Sequence, residues 1–147
     1  MAPGNRGLSY IPELEMLKFV YLKEQFYKDY GHLEHIMKKT GRPYVRILLK
    51  VDGIIYCIPM RSNINHPYVF WTDKKNKCGI DFGNTIAIRD VEKYIDTESK
   101  PIIRQNEFDA MKGKERVIER MLIQYLSDYK KAKEDMEKGV IKITLTN

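Results

Sequence analysis

The sequence predicts an α+β domain, a small and strongly twisted antiparallel sheet with helices packed outside it. Three observations predict it. Asp52-Gly53 separates two runs rich in β-forming residues, 44–51 and 54–58, and both central positions of a type I′ hairpin need the positive φ that these residues tolerate. Short apolar segments broken by turn residues continue to residue 88. Beyond residue 106 the apolar residues recur at steps of three and four, the mark of a helix face.

Taken in order, residues 17–22 (Leu-Lys-Phe-Val-Tyr-Leu) suit a strand or the first turns of a helix, since a short apolar run does not discriminate. Phe26, Tyr30, Leu33 and Met37 form one helical stripe, weakened by Gly31, and Gly41 with Pro43 forces a turn. After the hairpin, Pro59 is expected to end the second strand because it cannot donate to a ladder. Residues 68–71 read as a further strand and 74–77 as a charged turn. Residues 79–84 and 85–88 read as two strands meeting at a Gly-Asn corner, and 89–95 as a polar edge or short helical turn. One long helix is expected from Asn106 to Lys138, with Ile118, Met121 or Leu122, Tyr125, Tyr129, Ala132 and Met136 on one face. Gly139 suits its end, and Lys130, Lys131, Lys133 and Lys138 suit its dipole. Residues 140–145 alternate as a terminal strand.

The composition supports a packed core. Of 147 residues 43% are hydrophobic and 31% charged, which excludes a disordered or collagen-like chain. The longest apolar run, 54–60, is strand-sized and too short for a membrane helix. The first seven residues lack the apolar centre of a signal peptide, so they read as a loose tail and a cytoplasmic location is expected. We divide the chain into an N-terminal tail or arm, 1–16, and a domain, 17–147. Twenty-six Lys and Arg against 20 Asp and Glu leave a net charge of +6, which favours a polyanionic partner. Cys57 lies in an apolar run and reads as a small core residue, and with Cys78 and three histidines it makes no zinc spacing. No cofactor is expected.

No Walker loop, Gly-x-Gly-x-x-Gly, Gly-x-Ser-x-Gly elbow or Cys-His dyad is present. Residues 59–68 concentrate Arg61, Ser62, Asn63, Asn65 and His66 after a hydrophobic strand, the place where a rigid core can aim polar side chains. Composition alone favours an ordinary loop whose Ser and Asn make local turn hydrogen bonds. A second basic cluster, Lys38, Lys39 and Arg42 ahead of Tyr44, suits either a phosphate or a solvated helix end. The lysines around Lys130 have the same two readings, and the solvated face is the stronger. His32 and His35 read as surface residues of the first helix.

Several segments, in this order and spacing, carry a resemblance. They are Lys18-Phe19-Val20-Tyr21-Leu22, Gly41-Arg42-Pro43-Tyr44-Val45 before the Asp52-Gly53 hairpin, and Tyr56-Cys57-Ile58-Pro59-Met60-Arg61-Ser62. Gly79-Ile80-Asp81-Phe82 and Gly139-Val140-Ile141-Lys142-Ile143 follow. From about Leu17 to the C-terminus the chain resembles the type III toxin–antitoxin endoribonucleases, the ToxN/AbiQ/CptN/TenpN-like proteins. The CptN-like and TenpN-like branches are nearest, through Arg-Pro-Tyr at 42–44 and the Ser-Asn-x-x-His loop at 62–66.

The resemblance implies a compact, highly twisted antiparallel β-barrel related to the MazF/Kid toxins (SH3-like), with flanking helices including a long C-terminal one. It implies a phage-defence toxin that cleaves cellular mRNA without metal. Its inhibitor would be a short, structured, pseudoknot-like repeat antitoxin RNA, held with the protein in a closed or cyclic assembly. By position, Ser62 falls on the family's active-site serine after the Pro-x-x-Ser strand end. Arg61 stands where some relatives have a hydroxyl residue, and Arg42 where they have a lysine. Ile64 replaces a lysine that some members carry, so His66 is taken as the proton donor, because histidine titrates near neutrality. The implied catalytic set is Ser62, His66, Arg42 and Arg61. The implied RNA contacts are Lys38, Lys39, Arg42, Tyr44, Arg61, Asn63, Asn65 and Tyr68. Trp71 is equally a stacking residue or a core residue and stays outside both sets. A non-catalytic RNA-binding barrel, or a protein-interaction module docking through the long helix, remains as an alternative.

Overall fold

This computed structural model describes residues 17–32 and 44–137. In chain order the elements are β1 (Lys18–Leu22), α1 (Glu24–Tyr30), β2 (Arg46–Val51), β3 (Ile54–Arg61), β4 (Val69–Asp73), β5 (Cys78–Asp81) and β6 (Ile86–Ile88). They continue with α2 (Val91–Tyr94), β7 (Ile95–Asp96), α3 (Gln105–Met111) and α4 (Glu115–Glu137). Single 3-10 turns, Lys74–Asn76 and Phe82–Asn84, follow β4 and β5. The strands pair antiparallel in the order β4-β5-β3-β2-β1-β7, with β6 also on β3. Among the described residues no pairing joins β4 to β7, so the sheet is open along this path. The α+β class and antiparallel sheet thus stand, and the closed barrel does not appear in these pairings.

The Asp52-Gly53 hairpin forms as expected: both residues are left-handed, at φ 50° and 81°, and Val51 pairs with Ile54. Both faces of β2 and β3 are covered. Ile47, Leu49, Ile58 and Met60 pack into a core closed by Phe108 and Met111 of α3 and Ile118 and Leu122 of α4. On the opposite face Cys57 joins Val20 and Leu22, under Phe26 of α1 and Tyr94 of α2. Burial on both faces is why these strands read as nearly unbroken apolar runs rather than as alternation.

Three expectations change. Pro59 lies inside β3, which runs on to Arg61. The bond from Met60 N–H to Val45 O, 2.8 Å, makes Arg46 and Pro59 a non-hydrogen-bonded pair. The proline nitrogen therefore faces the other edge of β3, in the gap between the β6 pairing that ends at Cys57 and the β5 pairing that begins at Met60. No ladder donor is missed there. The long C-terminal helix is two helices, because the chain turns at Gly113, whose φ of 74° suits glycine at a helix end. The strands meeting at the Gly-Asn corner do not pair with each other; β5 and β6 both lie on β3. Leu33, His35, Met37, the loop bearing Lys38, Lys39, Arg42 and Pro43, Gly139 and the expected strand at 140–145 lie outside the described residues, as does the tail 1–16.

Cys57 is the small core residue the sequence suggests, fully buried in β3. Burial pushes its thiol up to about 11, only partly offset by the Arg46 guanidinium. Burial and the Glu107 carboxylate also raise Cys78. Neither thiol should alkylate readily in native protein at pH 8, whereas both should react in urea. Because the folded value for Cys57 lies above the unfolded one near 8.5, its stabilising contribution is complete below that pH and fades as pH rises through about 11. Rapid native-state modification of Cys57, read by peptide mass mapping, would contradict this.

Candidate functional site

The end of β3 and the turn after β5 build the site around a carboxylate. Asp81, at the last position of β5, is fully buried. Register explains its main partner: Arg61 lies opposite Gly79, so Asp81, two residues on, is its diagonal neighbour on the same face. Arg61 Nη1 donates to Asp81 Oδ2 at 2.7 Å, and Asn84 Nδ2 donates to the same oxygen at 2.7 Å. His66 Nε2 approaches Asp81 Oδ1 to 2.7 Å, but the N–H is not aligned with it, so neither atom completes a directed hydrogen bond. The contact is tight on its open side as well. A Cβ on Gly83 would stand 3.0 Å from His66 Cε1 and 3.2 Å from Asp81 Oδ1, so a side chain there would press the pair apart.

The loop from Ser62 to Tyr68 is pinned at both ends. Ile64 is buried, and its N–H donates to Lys77 O at 3.2 Å; Phe82 N–H donates to Tyr68 O at 2.9 Å. Ile64 is thus the loop's apolar anchor. Tyr68 N–H donates to His66 Nδ1 at 3.1 Å, so the ring proton belongs on Nε2, facing Asp81. The His66 ring packs on Tyr68 and Tyr68 on Tyr125, with centroids 5.8 and 5.6 Å apart. Burial, with Tyr129, Asp81 and Tyr68 adding, raises the Tyr125 phenol, so it stays protonated at neutral pH.

Beside this network opens a cleft of about 480 Å³, lined by Tyr44, Arg61, Ser62, Cys78, Arg104 and Glu107 among others. A β-bulge between Trp71 and Asp73 turns buried Thr72 toward α3, where its hydroxyl donates to Glu107 Oε1. Phe108 and Met111 anchor α3 in the core, and Arg104 Nη1 lies 3.3 Å from Glu107 Oε2. Both cleft arginines pair with buried carboxylates, Arg61 closely with Asp81 and the more exposed Arg104 at longer range with Glu107. Two guanidinium groups beside a hydroxyl suit a phosphate, because their donor forks match its oxygens.

The structure brings Arg61, Ser62 and Tyr44 together in that cleft. Asn65 and His66 line a different one, with Trp71, Lys74 and Lys77. Asn63 is exposed at φ 56°, and Tyr68 is half-buried against His66. Arg42, Lys38 and Lys39 lie outside the described residues. His66, expected above as the proton donor, has a side chain 5% exposed, with Nδ1 accepting from Tyr68 N–H and Nε2 set against Asp81. This geometry holds the loop and the Asp81 carboxylate, and offers no free ring nitrogen to a phosphate.

Asp81, Asn84, Arg104, Glu107 and Thr72 were absent from the sequence-derived set. A signal existed for Asp81, a lone carboxylate inside the apolar run 79–82; for Arg104 and Glu107 there was none beyond charge. Among the described residues no group of three or more His, Cys, Asp and Glu side chains is placed to hold a metal ion. Comparison of the chain with protein-family models, curated proteins and solved structures returns no match.

Proposed function

We propose that the chain is the endoribonuclease toxin of a type III toxin–antitoxin pair. In this reading it cuts cellular RNA without metal, acts in the cytoplasm, and is restrained by a structured repeat RNA. The observation that carries the reading is the cleft in which Arg61 and Arg104, each paired with a buried carboxylate, stand beside Ser62 and Tyr44. In this reading the antiparallel sheet in which β3 pairs with β2, β5 and β6 takes the place of the toxins' barrel.

The chemistry needs alignment of the 2′-oxygen, the phosphorus and the departing 5′-oxygen, and neutralisation of charge on the phosphoryl oxygens. Arg61 and Arg104 supply the neutralisation. The Ser62 hydroxyl orients the phosphate by hydrogen bonding and does not attack it. Glu107, which lines the cleft and as a carboxylate keeps lone pairs beyond its contacts to Thr72 and Arg104, takes the 2′-hydroxyl proton; the 2′-oxygen bonds to phosphorus as the P–O5′ bond breaks, and solvent in the open cleft protonates the 5′-oxygen. The products are a 2′,3′-cyclic phosphate and a 5′-hydroxyl. Asp81 and His66 hold Arg61 and the 62–68 loop in position. The +6 charge favours the polyanionic inhibitor.

The test is incubation with end-labelled RNA in EDTA. Cleavage to cyclic-phosphate ends is expected, and Arg61→Ala should lower kcat/KM by about 10²–10³-fold. Activity that vanishes in EDTA and returns with magnesium would overturn the proposal, and binding without cleavage would leave an RNA-binding domain in its place. Expression from the native operon should yield the protein with a short repeat RNA bound.

A further inference from the structure

We propose that the cleft under the β4–β5 connection is a nucleobase-stacking subsite, in which one RNA base lies on Trp71 while Lys74 and Lys77 take the adjoining phosphates. The subsite rests on the RNA-cleaving reading above and extends it to a second nucleotide. The cleft is a shallow depression of about 440 Å³, open to solvent, which suits a base lying flat on its wall rather than a ligand enclosed in it.

Trp71 is the first reason. Its strand neighbours Val69 and Thr72 are buried, and Phe70 packs on the α3–α4 core, yet Trp71 is half-buried and belongs to neither core. An indole that no core needs, lining a cleft, is a stacking surface by its chemistry. Charge is the second reason. Lys74 and Lys77 are exposed, and among the described residues neither pairs with a carboxylate. Lys77 Nζ instead lies 3.4 Å from Asn65 Oδ1, which sets an ammonium and an amide at one rim. An amide offers both donors and acceptors to the edge of a base.

The walls are the third reason. Asn63 and Lys77 are non-glycine residues in the left-handed region, at φ 56° and 55°, and the Ile64 N–H to Lys77 O bond ties their two segments together. Such backbone persists where surrounding structure holds it, often around binding sites. An acidic peptide would satisfy the lysines but not the flat indole; a nucleotide satisfies both.

The chain has one tryptophan, so its emission reports on this cleft alone. The full chain should be titrated with four 2′-O-methyl homotetranucleotides, which lack the attacking hydroxyl and cannot be cut. We expect saturable quenching that weakens several-fold from 50 to 200 mM salt. By anisotropy of a labelled oligonucleotide, Trp71→Ala should bind about 10-fold weaker and Trp71→Phe nearly as wild type. The double variant Lys74→Ala/Lys77→Ala should also bind about 10-fold weaker. Circular dichroism would check that each variant is folded. Absence of quenching with all four oligonucleotides overturns the subsite, even if unmodified RNA is cleaved. Quenching with unmodified RNA left intact upholds the subsite and overturns the nuclease.

Discussion

Asp81→Ala should lower stability by about 3 kcal/mol, because removing a fully buried carboxylate strips Arg61 and Asn84 of their acceptor and leaves His66 facing a void. The partial exposure of Arg61, 26% of its side chain, keeps the loss below that of a fully enclosed pair. For a chain of this length the midpoint of thermal unfolding should fall by roughly 10 °C. Asp81→Asn keeps one carbonyl oxygen for Arg61 and should fall between the two. Cleavage should drop with either variant, since Arg61 is then no longer fixed. An Asp81→Ala protein melting within about 2 °C of wild type would show that the network is not what holds the 62–68 loop.

Glu107→Gln separates chemistry from architecture. The amide keeps the shape of the side chain and an oxygen for the Thr72 hydroxyl, so folding should change little, while the weaker hold on Arg104 should loosen RNA binding somewhat. What it chiefly loses is the capacity to take a proton, and kcat should fall about 10²–10⁴-fold with a much smaller rise in KM. Thr72→Val is the companion. It removes the hydroxyl from a buried acceptor and should lower stability more than Glu107→Gln does, with a smaller effect on kcat. A Glu107→Gln protein cutting RNA at the normal rate would move the base elsewhere in the cleft.

Local chemistry was legible in the chain. Asp52-Gly53 announced its hairpin because two left-handed positions in succession are chemically demanding. Cys57 and the Ile118–Leu122 pair announced their burial because apolar spacing repeats with the element that carries it. The Pro59–Ser62 strand end was recognisable as a place where side chains leave a core, and Arg61, Ser62 and Tyr44 do share a cleft. The break at Gly113 between α3 and α4 is not legible in the apolar stripe, because a single glycine is compatible with both a helix interior and a helix end.

What tertiary structure alone decided was partnership. Arg61 meets Asp81, 20 positions away in the chain, through the register of two strands, and no spacing rule connects them. Glu107 becomes a cleft carboxylate because a bulge in β4 turns Thr72 toward α3. His66 changes from an available imidazole to an enclosed one because Tyr68 N–H and Asp81 occupy its two sides. Pro59 is tolerated inside a central strand because its missing donor falls between two neighbours. The physical reason is common to all four. Side-chain chemistry and turn preference are properties of a few adjacent residues, whereas ion pairs, enclosure and ladder gaps depend on which distant segments the sheet brings within a few ångströms.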